Sequence, residues 1–351
     1  MPAKSFINIS GRRVATDAPP YVIAEMSANH NGSIATARRI IDAAKLAGAD
    51  AVKIQTYTPD TITLDSHLPD FQIKGGLWDG QTLHDLYKQA HMPWEWHRPL
   101  FEHARNAGIC IFSSPFDTTA VDLLEDLGTP AYKIASFEAV DLPLIRYVAS
   151  TRKPMIISTG MADAEEIHEA VDTARQGGCK EVAVLHCVSG YPAPAADYNL
   201  RTIPDMINRF GLVTGLSDHT LDNTTAIASV ALGASIIEKH FTLDRNGGGP
   251  DDSFSLEPAG LSDLCRGART AWESLGHIDY SRKSSEHGNV QFRRSLYFVK
   301  DLAAGDTITD DAVRSVRPGF GLAPKFLDQV LGRKASRAIQ ANTPVTRDAL
   351  A

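Results

Sequence analysis

Short apolar runs recur along the first 241 residues, and most are rich in the β-branched side chains typical of buried strands. Eight runs occur, at residues 21–27, 51–57, 109–116, 131–137, 154–160, 181–189, 212–218 and 234–241. The segments that follow them have helical periodicity, and they cover residues 33–47, 81–107 with a break at Pro93, 117–127, 141–150, 163–176, 199–209, 222–232 and 257–275. Capping residues such as Ser33 begin several of these segments and glycines such as Gly48 end several, so strand and helix alternate.

Eight strand–helix units over about 250 residues predict an α/β fold of the (β/α)8 TIM-barrel type. A doubly wound open sheet is the alternative, but it does not explain why polar residues collect at the end of every strand. In a parallel barrel those ends meet at one face, which is where active sites lie. Residues 6–15 alternate around Ser10 and Gly11, which predicts a small N-terminal hairpin.

The alternation stops after Gly276, and the polar stretch that follows predicts a linker. Short β-like runs then continue to the C-terminus, with one short helix near residues 324–331. The predicted organisation is a barrel domain over residues 1–280 that includes the hairpin, a linker over 281–291 and a small β-rich domain over 292–351.

Composition and net charge indicate which classes of binding partner are disfavoured and which cellular compartment is expected. A net charge of −7 argues against nucleic acid or an acidic membrane surface as the main partner. The four cysteines show no C-x-x-C spacing, which favours buried thiols in a reducing compartment over disulfides or a zinc site. No apolar run has the length of a signal peptide or a membrane span, so we expect a cytoplasmic protein.

Two lysines are placed inside predicted strands, where a charged side chain is costly unless an anion meets it. Lys53 and Lys133 occupy these positions, and serines follow at many of the strand ends. Small hydroxyl groups leave room for a ligand, so the pattern predicts a pocket for a phosphate and a carboxylate. The alternative is a purely structural core in which the two lysines pair with Glu25 and Glu138.

Two histidines lie in the polar clusters at the ends of the last two predicted barrel strands. His219 and His240 could face each other at the mouth of the barrel and form a metal site with open positions. The alternative is that each histidine forms a hydrogen bond with a neighbouring backbone group.

The glycine-rich loop 247–252 (GGGPDD) follows the last strand. It could bind phosphate through its N–H groups, cover the site or form a plain turn. Asp251 or Asp252 could act as an acid, a base or an outer ligand of the metal. Because the chain has no G-x-S-x-G, Walker or G-x-G-x-x-G motif, a hydrolase triad and a nucleotide fold are disfavoured.

The segments at the strand ends resemble those of the nonulosonic acid synthases. They are 24–32 (AEMSANHNG), 53–61 (KIQTYTPDT), 113–116 (SSPF), 132–138 (YKIASFE), 158–161 (STGM), 185–192 (LHCVSGYP), 215–222 (GLSDHTLD) and 238–241 (EKHF). Residues 304–309 (AGDTIT) and 317–321 (RPGFG) resemble the antifreeze-like (SAF) domain attached to these enzymes. The resemblance therefore covers nearly the whole chain.

This resemblance implies an enzyme that condenses phosphoenolpyruvate with an open-chain N-acetylated amino sugar and releases phosphate. It implies that His219 and His240 hold a divalent metal, Mn²⁺ or Mg²⁺, and that Glu25 and Asp251 act on the reacting atoms. The implied phosphoenolpyruvate site consists of Lys53, Ser114, Lys133, Ser136, Ser158, Ser189 and Ser217. The implied sugar site consists of Gln55, Glu138, Tyr191 and Arg317. In the family Arg317 would come from the other subunit of a domain-swapped homodimer.

Ser114 and Ser189 stand where sialic acid synthases carry threonine and asparagine. Together with residues 56–61 (TYTPDT) they resemble the pseudaminic acid branch, which implies 2,4-diacetamido-2,4,6-trideoxy-L-altrose as the sugar. Synthesis of N-acetylneuraminate or legionaminate remains an alternative. So do a non-catalytic phosphosugar-binding barrel and a metal-dependent aldolase that uses pyruvate.

Overall fold

The structure is a computed structural model, and it describes residues 5–351. The chain divides into two compact units, Met1–Gly276 and His277–Ala351. The division falls at the start of the polar stretch that the sequence predicts to be a linker. Within that stretch, Ser284–Phe292 forms a 3-10 helix.

Within the described residues, eight parallel strands of the first unit close into a barrel, in the order β10-β3-β4-β5-β6-β7-β8-β9. The strands are β3 Tyr21–Glu25, β4 Ala51–Thr56, β5 Cys110–Pro115, β6 Tyr132–Ile134, β7 Met155–Ser158, β8 Val182–Cys187, β9 Val213–Asp218 and β10 Ile236–His240. The predicted TIM barrel is confirmed. Its strand boundaries differ from the predicted ones by a few residues because the apolar pattern extends into the loops.

Helices connect the strands in the predicted positions. They are α1 Ile34–Ala47, α2 Pro59–Ile62, α3 Leu83–Ala90, α4 Trp94–Ala107, α5 Thr118–Asp126, α6 Leu142–Ser150, α7 Ala164–Gln176, α8 Thr202–Phe210, α9 Thr224–Ala231 and α10 Pro258–Leu275. The break predicted at Pro93 is confirmed, since α3 ends before it and α4 begins directly after it. The short helix α2 was not predicted, and it lies in the long connection from β4 to α3. None of the helices in residues 5–351 is long and apolar enough to cross a membrane.

The predicted hairpin is confirmed as β1 Ile7–Ile9 paired with β2 Arg12–Val14. Its side chains Ile7, Ile9 and Val14 are buried in one apolar cluster with Tyr21 and Ile23 of β3 and with residues early in the other strands. The hairpin therefore fills the N-terminal end of the barrel with apolar groups. The polar strand ends lie at the opposite, C-terminal end.

The second unit contains the antiparallel pair β11 Ser295–Phe298 and β12 Val313–Val316 and the short helix α11 Leu327–Val330. Leu296, Phe298 and Val345 belong to its own buried core. Other β-like runs predicted there form isolated bridges rather than strands, such as Thr307 with Lys334. The short helix predicted near residues 324–331 is confirmed.

The register of the barrel aligns the polar strand ends. His240 of β10 lies opposite Glu25 of β3, and Glu25 lies opposite Lys53 of β4. Asp218 of β9 lies opposite Lys239 of β10. Side chains alternate along a strand, so Glu238 and His240 share one face of β10 and Lys239 faces the other way.

Candidate active site

The C-terminal end of the barrel contains a cavity of about 440 Å³. The predicted site residues that line it are Glu25, Lys53, Gln55, Lys133, Ser136, Glu138, Ser158, Ser189, Tyr191, Ser217, His219, His240 and Asp251. Ser114 lies beside it, and its Oγ accepts a hydrogen bond from Lys53 Nζ at 3.2 Å. Arg317 belongs to the second unit, where it is exposed directly after β12. The barrel thus brings together nearly all of the residues predicted for the site.

The two inward lysines pair with carboxylates inside the cavity. Lys53 Nζ lies 3.0 Å from Glu25 Oε2 and 3.7 Å from Glu238 Oε1, and Lys133 Nζ lies 3.4 Å from the same Glu238 oxygen. The pairing of Lys53 with Glu25 agrees with the structural alternative, but Lys133 pairs with Glu238 and not with Glu138. Glu238 was missing from the predicted site. The alternation along β10 places it on the same face as His240 and could have identified it.

Charge in the cavity is set by burial and by these ion pairs. Burial raises the pKa of Glu25, and the nearby Lys53 offsets this only in part. Burial acts in the same direction on Glu238, but Lys133 and Lys53 outweigh it and lower its pKa. Burial lowers the pKa of Lys133, whereas the two glutamates overcome burial and raise the pKa of Lys53. The raised pKa makes Glu25 easier to protonate than an exposed glutamate, and Lys53 and Lys133 are the cations that an anionic ligand would meet in the cavity.

Three serines line the cavity at the C-terminal ends of β6, β7 and β8. Ser136 Oγ and Ser189 Oγ are 2.8 Å apart. Ser158 Oγ is buried and has no hydrogen-bond partner within the described chain. A Cβ at Gly160 would overlap Ser136 and lie 2.6 Å from Ser189 Oγ, so glycine is required for this close approach. A buried hydroxyl without a partner is rare and is expected where a ligand supplies the missing contact.

His219 and His240 lie next to each other in the cavity, with ring centroids 5.4 Å apart and ring planes at 66°. His219 Nδ1 donates to the Val188 carbonyl at 2.7 Å, so its Nε2 keeps a free lone pair. His240 Nδ1 is buried, and in residues 5–351 it finds no hydrogen-bond partner; Asp251 Oδ2 lies 4.0 Å away. The alternative, in which each histidine forms a hydrogen bond with a neighbouring backbone group, therefore holds for His219 Nδ1 but not for His240 Nδ1.

Both imidazoles are in the form that binds metals. Burial lowers the pKa of His219 to about 4 and the pKa of His240 well below its ordinary value, so both rings are neutral. Across the described residues, no group of three or more histidine, cysteine or carboxylate side chains is arranged to hold a metal ion. The donors present are two neutral imidazoles with centroids 5.4 Å apart, and a divalent cation held by them would have its other positions open to substrate or water.

The glycine-rich loop after β10 is built as a turn around Asp252. Gly249 N donates to Asp252 Oδ2 at 2.9 Å, and Gly247 N donates to the Asp244 carbonyl at 3.1 Å. These two N–H groups are used inside the loop, as the plain-turn interpretation expects. The turn presents Asp251 to the cavity, where its Oδ2 accepts a hydrogen bond from Ser27 Oγ at 2.5 Å.

Gly249→Ala is expected to slow turnover by about 10²-fold, because misplacement of a reacting group by about 1 Å has an effect of that size. A Cβ at this position would overlap Asn31 Oδ1 and push the turn, and with it Asp251, out of place. The measurement is kcat by steady-state kinetics. Gly248→Ala is the control within the loop for steric overlap, since nothing lies within 4 Å of its Cβ, although its φ of +82° adds backbone strain. Equal kcat values for wild type and Gly249→Ala would contradict this account of the loop.

Several cavity residues were not predicted from the sequence. They are Ser27, Tyr57, Ile62, Ile73, Trp78, Leu83, Leu86, Tyr87, Phe116 and Glu238. Most come from the connection between β4 and α4, which has no regular period before α3. The sequence therefore carried no signal that this segment covers the mouth of the barrel.

Residues 40–280 match the NeuB family, and residues 293–351 match the SAF domain. The chain belongs to the NeuB family. It is 44% identical over 327 residues to the pseudaminic acid synthase of Campylobacter jejuni strain 81-176, which covers 93% of this chain and 95% of that protein. Identity to the N,N'-diacetyllegionaminic acid synthase of Campylobacter jejuni serotype O:2 is 36% over 320 residues, with 90% and 96% covered.

The solved structure of the N-acetylneuraminic acid synthetase from Leptospira borgpetersenii superposes with a TM-score of 0.73 at 30% identity. The match covers 82% of this chain and 95% of that structure. The resemblance to the nonulosonic acid synthases is confirmed, together with the barrel and the SAF domain. The chain is an enzyme, a transferase of the sialic-acid-synthase type.

Proposed function

We propose that this enzyme condenses phosphoenolpyruvate with 2,4-diacetamido-2,4,6-trideoxy-L-altrose and water, giving pseudaminic acid and phosphate. The observation that carries the choice of sugar is the 44% identity to a pseudaminic acid synthase over almost the whole chain, against 36% for the legionaminic counterpart. The departures at Ser114 and Ser189 from the sialic acid synthase pattern support the same branch.

Phosphoenolpyruvate is assigned to the side of the cavity that holds Lys53 and Lys133. Both ammonium groups are buried, and charge-assisted hydrogen bonds to phosphate and carboxylate oxygens are the strong kind. The Ser136–Ser189 pair and the hydroxyl of Ser158, which has no hydrogen-bond partner in the part of the chain that the structure describes, are proposed as further donors. The remaining predicted contacts to this substrate are Ser114 and Ser217.

His219 and His240 are proposed to hold a divalent metal, Mn²⁺ or Mg²⁺. When bound, such an ion supplies Lewis-acid polarisation of the sugar aldehyde oxygen. The chain's own contribution is to present two neutral imidazoles whose orientation is set by the Val188 carbonyl on one side and by strand β10 on the other.

Glu25 and Asp251 are the proposed catalytic carboxylates. The C3 carbon of phosphoenolpyruvate forms the new bond to the sugar aldehyde carbon, and the aldehyde oxygen takes a proton and becomes a hydroxyl. Water adds to C2, phosphate leaves with its bridging oxygen, and the water oxygen remains as the C2 ketone, so that one water proton balances the new hydroxyl and the other leaves with phosphate. Positive charge develops at C2 and the attacking water loses a proton, so a carboxylate nearby is needed for both events. Gln55 Nε2 donates a hydrogen bond to Glu25 Oε1 at 2.9 Å, and Ser27 Oγ donates one to Asp251 Oδ2. Burial raises the pKa of each carboxyl group, which suits proton transfer.

Gln55, Glu138, Tyr191 and Arg317 are proposed to contact the sugar. Burial raises the pKa of Glu138 to about 7, so this group can donate as well as accept a hydrogen bond near neutral pH. Tyr191 lies against His219 with ring centroids 4.4 Å apart. Arg317 is proposed to reach the active site of the partner subunit in a domain-swapped homodimer.

The cytoplasmic location of the enzyme stays a prediction.

A phosphate-release assay tests the function. Enzyme, Mn²⁺ and phosphoenolpyruvate are incubated with the diacetamido-trideoxy-altrose, with the corresponding mannose-configured sugar and with N-acetylmannosamine. Fast release with the altrose sugar and slow release with the other two is expected. Preference for either of the others would replace the proposed substrate. Phosphate release in a control that contains enzyme, Mn²⁺ and phosphoenolpyruvate but no sugar measures the background.

Arg317→Ala is expected to lower kcat/KM for the sugar by about tenfold to 10²-fold, which is the effect of removing a hydrogen bond to a charged group. The side chain is exposed, so the melting temperature should change little. Arg314→Ala is the matched control, since Arg314 is also exposed and lies in the same strand region.

Coexpression of Arg317→Ala with Glu25→Ala tests the domain swap. A mixed dimer would contain one intact site, so about a quarter of the wild-type activity should return if subunits pair at random. Activity no higher than the sum of the two single variants would mean that each site is built from one subunit.

A further inference from the structure

Ser27 lines the cavity just beyond the end of β3, in a backbone conformation that is strained for a serine. Its φ of +46° lies in the left-handed region, which glycine adopts freely and other residues adopt at a cost in free energy. Asn29 N donates to the Met26 carbonyl at 3.0 Å and closes the turn that contains Ser27. Strained residues of this kind cluster at functional sites, so the hydroxyl group of Ser27 is a candidate for a role in the site.

The Ser27 hydroxyl lies in a line of hydrogen bonds that joins the two proposed catalytic carboxylates. Gln55 Nε2 donates to Glu25 Oε1 at 2.9 Å and to Ser27 Oγ at 3.0 Å. Ser27 Oγ in turn donates to Asp251 Oδ2 at 2.5 Å. An amide nitrogen carries two protons and accepts no hydrogen bond, so the proton of Ser27 points to Asp251 and not back to Gln55. Gln55 therefore sets the direction of every hydrogen bond in this line.

The backbone of Asp251 is held separately from its carboxylate. Ser255 Oγ donates to the Asp251 carbonyl at 2.7 Å, and Asn29 Nδ2 donates to Ser255 Oγ at 2.8 Å. The loop after β3 thus contacts Asp251 twice, through Asn29 and Ser255 at the backbone and through Ser27 at the side chain. Loss of the Ser27 hydroxyl would leave the turn in place and would release the carboxylate oxygen Oδ2.

We propose that Ser27 is a positioning residue of the reaction, whose hydroxyl group, directed by Gln55, holds the Asp251 carboxylate at the reacting atoms. This proposal rests on the catalytic role proposed for Asp251, and it applies to any sugar that the site turns over. Small displacements of a catalytic group lower the rate of the chemical step strongly. Ser27 should therefore affect kcat and not the binding of phosphoenolpyruvate, which is assigned to the lysines.

Ser27→Gly is expected to lower kcat by about 10- to 100-fold, which is the effect of losing a hydrogen bond to a charged group. The KM of phosphoenolpyruvate should stay within about twofold of the wild-type value. Glycine suits the left-handed φ, so the melting temperature should change little. Ser27→Ala removes the hydroxyl without adding backbone freedom, and it should be as slow as Ser27→Gly. Wild-type kcat in either variant overturns the proposal.

Ser10→Gly is the matched control for the change of backbone freedom. Ser10 also has a left-handed φ, of +50°, but it is exposed in the turn of the N-terminal hairpin, at the opposite end of the barrel. Its replacement should leave kcat at the wild-type value. An equal loss of kcat in Ser10→Gly and Ser27→Gly would overturn the proposal, because the effect would then not depend on the contact with Asp251.

Combining Ser27→Gly with Asp251→Ala separates positioning of this carboxylate from a general effect on the site. In the Asp251→Ala enzyme, Ser27→Gly should lower kcat by less than about twofold, because the group that the hydroxyl holds is absent. The full loss in that background overturns the proposal. A smaller effect of Ser27→Gly in the Gln55→Ala enzyme than in the wild type is also expected, and an equal effect would contradict the role given to Gln55.

The kinetics use phosphate release with whichever of the three sugars the wild type turns over fastest. A preference for a sugar other than the altrose derivative replaces the proposed substrate, while the comparison of variants still tests Ser27. Wild-type kcat in Asp251→Ala would reject the catalytic role of Asp251 and the positioning role of Ser27 with it. Release with none of the sugars would overturn the proposed function and this proposal together.

Discussion

Replacing His240 with alanine is expected to lower turnover by at least about 10³-fold while the barrel remains folded. Loss of a metal's charge stabilisation removes several kcal/mol from the transition state, which corresponds to this factor. The ring is buried, and within the described part of the chain its Nδ1 makes no hydrogen bond, so no buried partner is left unpaired by the change. Phosphate release at saturating phosphoenolpyruvate and Mn²⁺ measures the effect, and the melting temperature reports on folding.

Binding of Mn²⁺, followed by the loss of the free-ion signal in electron paramagnetic resonance, separates a metal role from a substrate contact. Wild type should bind the ion, and both His240→Ala and His219→Ala should not. His103→Ala is the control, since this histidine pairs with Asp42 on the surface of the protein. Full activity of either cavity variant in the presence of a chelator would refute the metal site.

Replacing Lys239 with methionine is expected to lower the free energy of unfolding by about 3–5 kcal/mol, because the change leaves a carboxylate buried without its cation. Lys239 Nζ lies 2.8 Å from Asp218 Oδ2 and donates to the Thr220 carbonyl at 2.6 Å, and both members of the pair are almost inaccessible to solvent. A shift of roughly 10 °C in melting temperature corresponds to this loss. Urea unfolding of the variant and the wild type gives the difference.

Lys153→Met is the matched control for that experiment. Lys153 pairs with Glu125 at 2.6 Å, but this pair is partly exposed, so its loss should be below about 1 kcal/mol. The double variant Lys239→Met/Asp218→Asn removes both buried charges and should regain most of the stability. A Lys239→Met protein as stable as Lys153→Met would contradict the assigned role of the pair.

The buried pair also bears on the site, because each member directly precedes a histidine. Asp218 and Lys239 lie opposite each other in β9 and β10, and their side chains point away from the cavity. The residues that follow them, His219 and His240, are therefore held at a fixed relative position by a contact on the other side of the sheet. A loss of Mn²⁺ binding in Lys239→Met, recovered in the double variant, is the expected accompanying result.

The sequence carried enough local pattern to predict the barrel almost element by element. Apolar runs at the spacing of strands, caps such as Ser33 and breaks such as Pro93 act within a few residues, and the structure confirms the elements that they delimit. The same local alternation placed Lys53 and Gln55 on one face of β4, and both line the cavity. The connection between β4 and α3 has no such period, and the helical pattern of α3 did not indicate that Leu83 and Leu86 line the cavity, so the apolar side chains of this segment were not predicted as part of the site.

The ion pairs were only partly predicted because partners across a barrel are distant in the chain. Lys133 lies in β6 and its partner Glu238 in β10, so no spacing rule links them. The sequence suggested Glu138, which is near Lys133 in the chain but does not pair with it. Which carboxylate meets which lysine depends on the closure of eight strands and on the directions of their side chains.

The sequence by itself determined the barrel, the small second domain, the family and the residue types gathered at the strand ends, since all of these follow from local periodicity and motif. Only the tertiary structure decided which charges pair and in which direction each pKa moves. It also decided which hydroxyl group and which imidazole nitrogen of the cavity have no hydrogen-bond partner within the described residues. These properties depend on distance and desolvation inside the closed barrel. Neither quantity exists until strands far apart in the chain have come together.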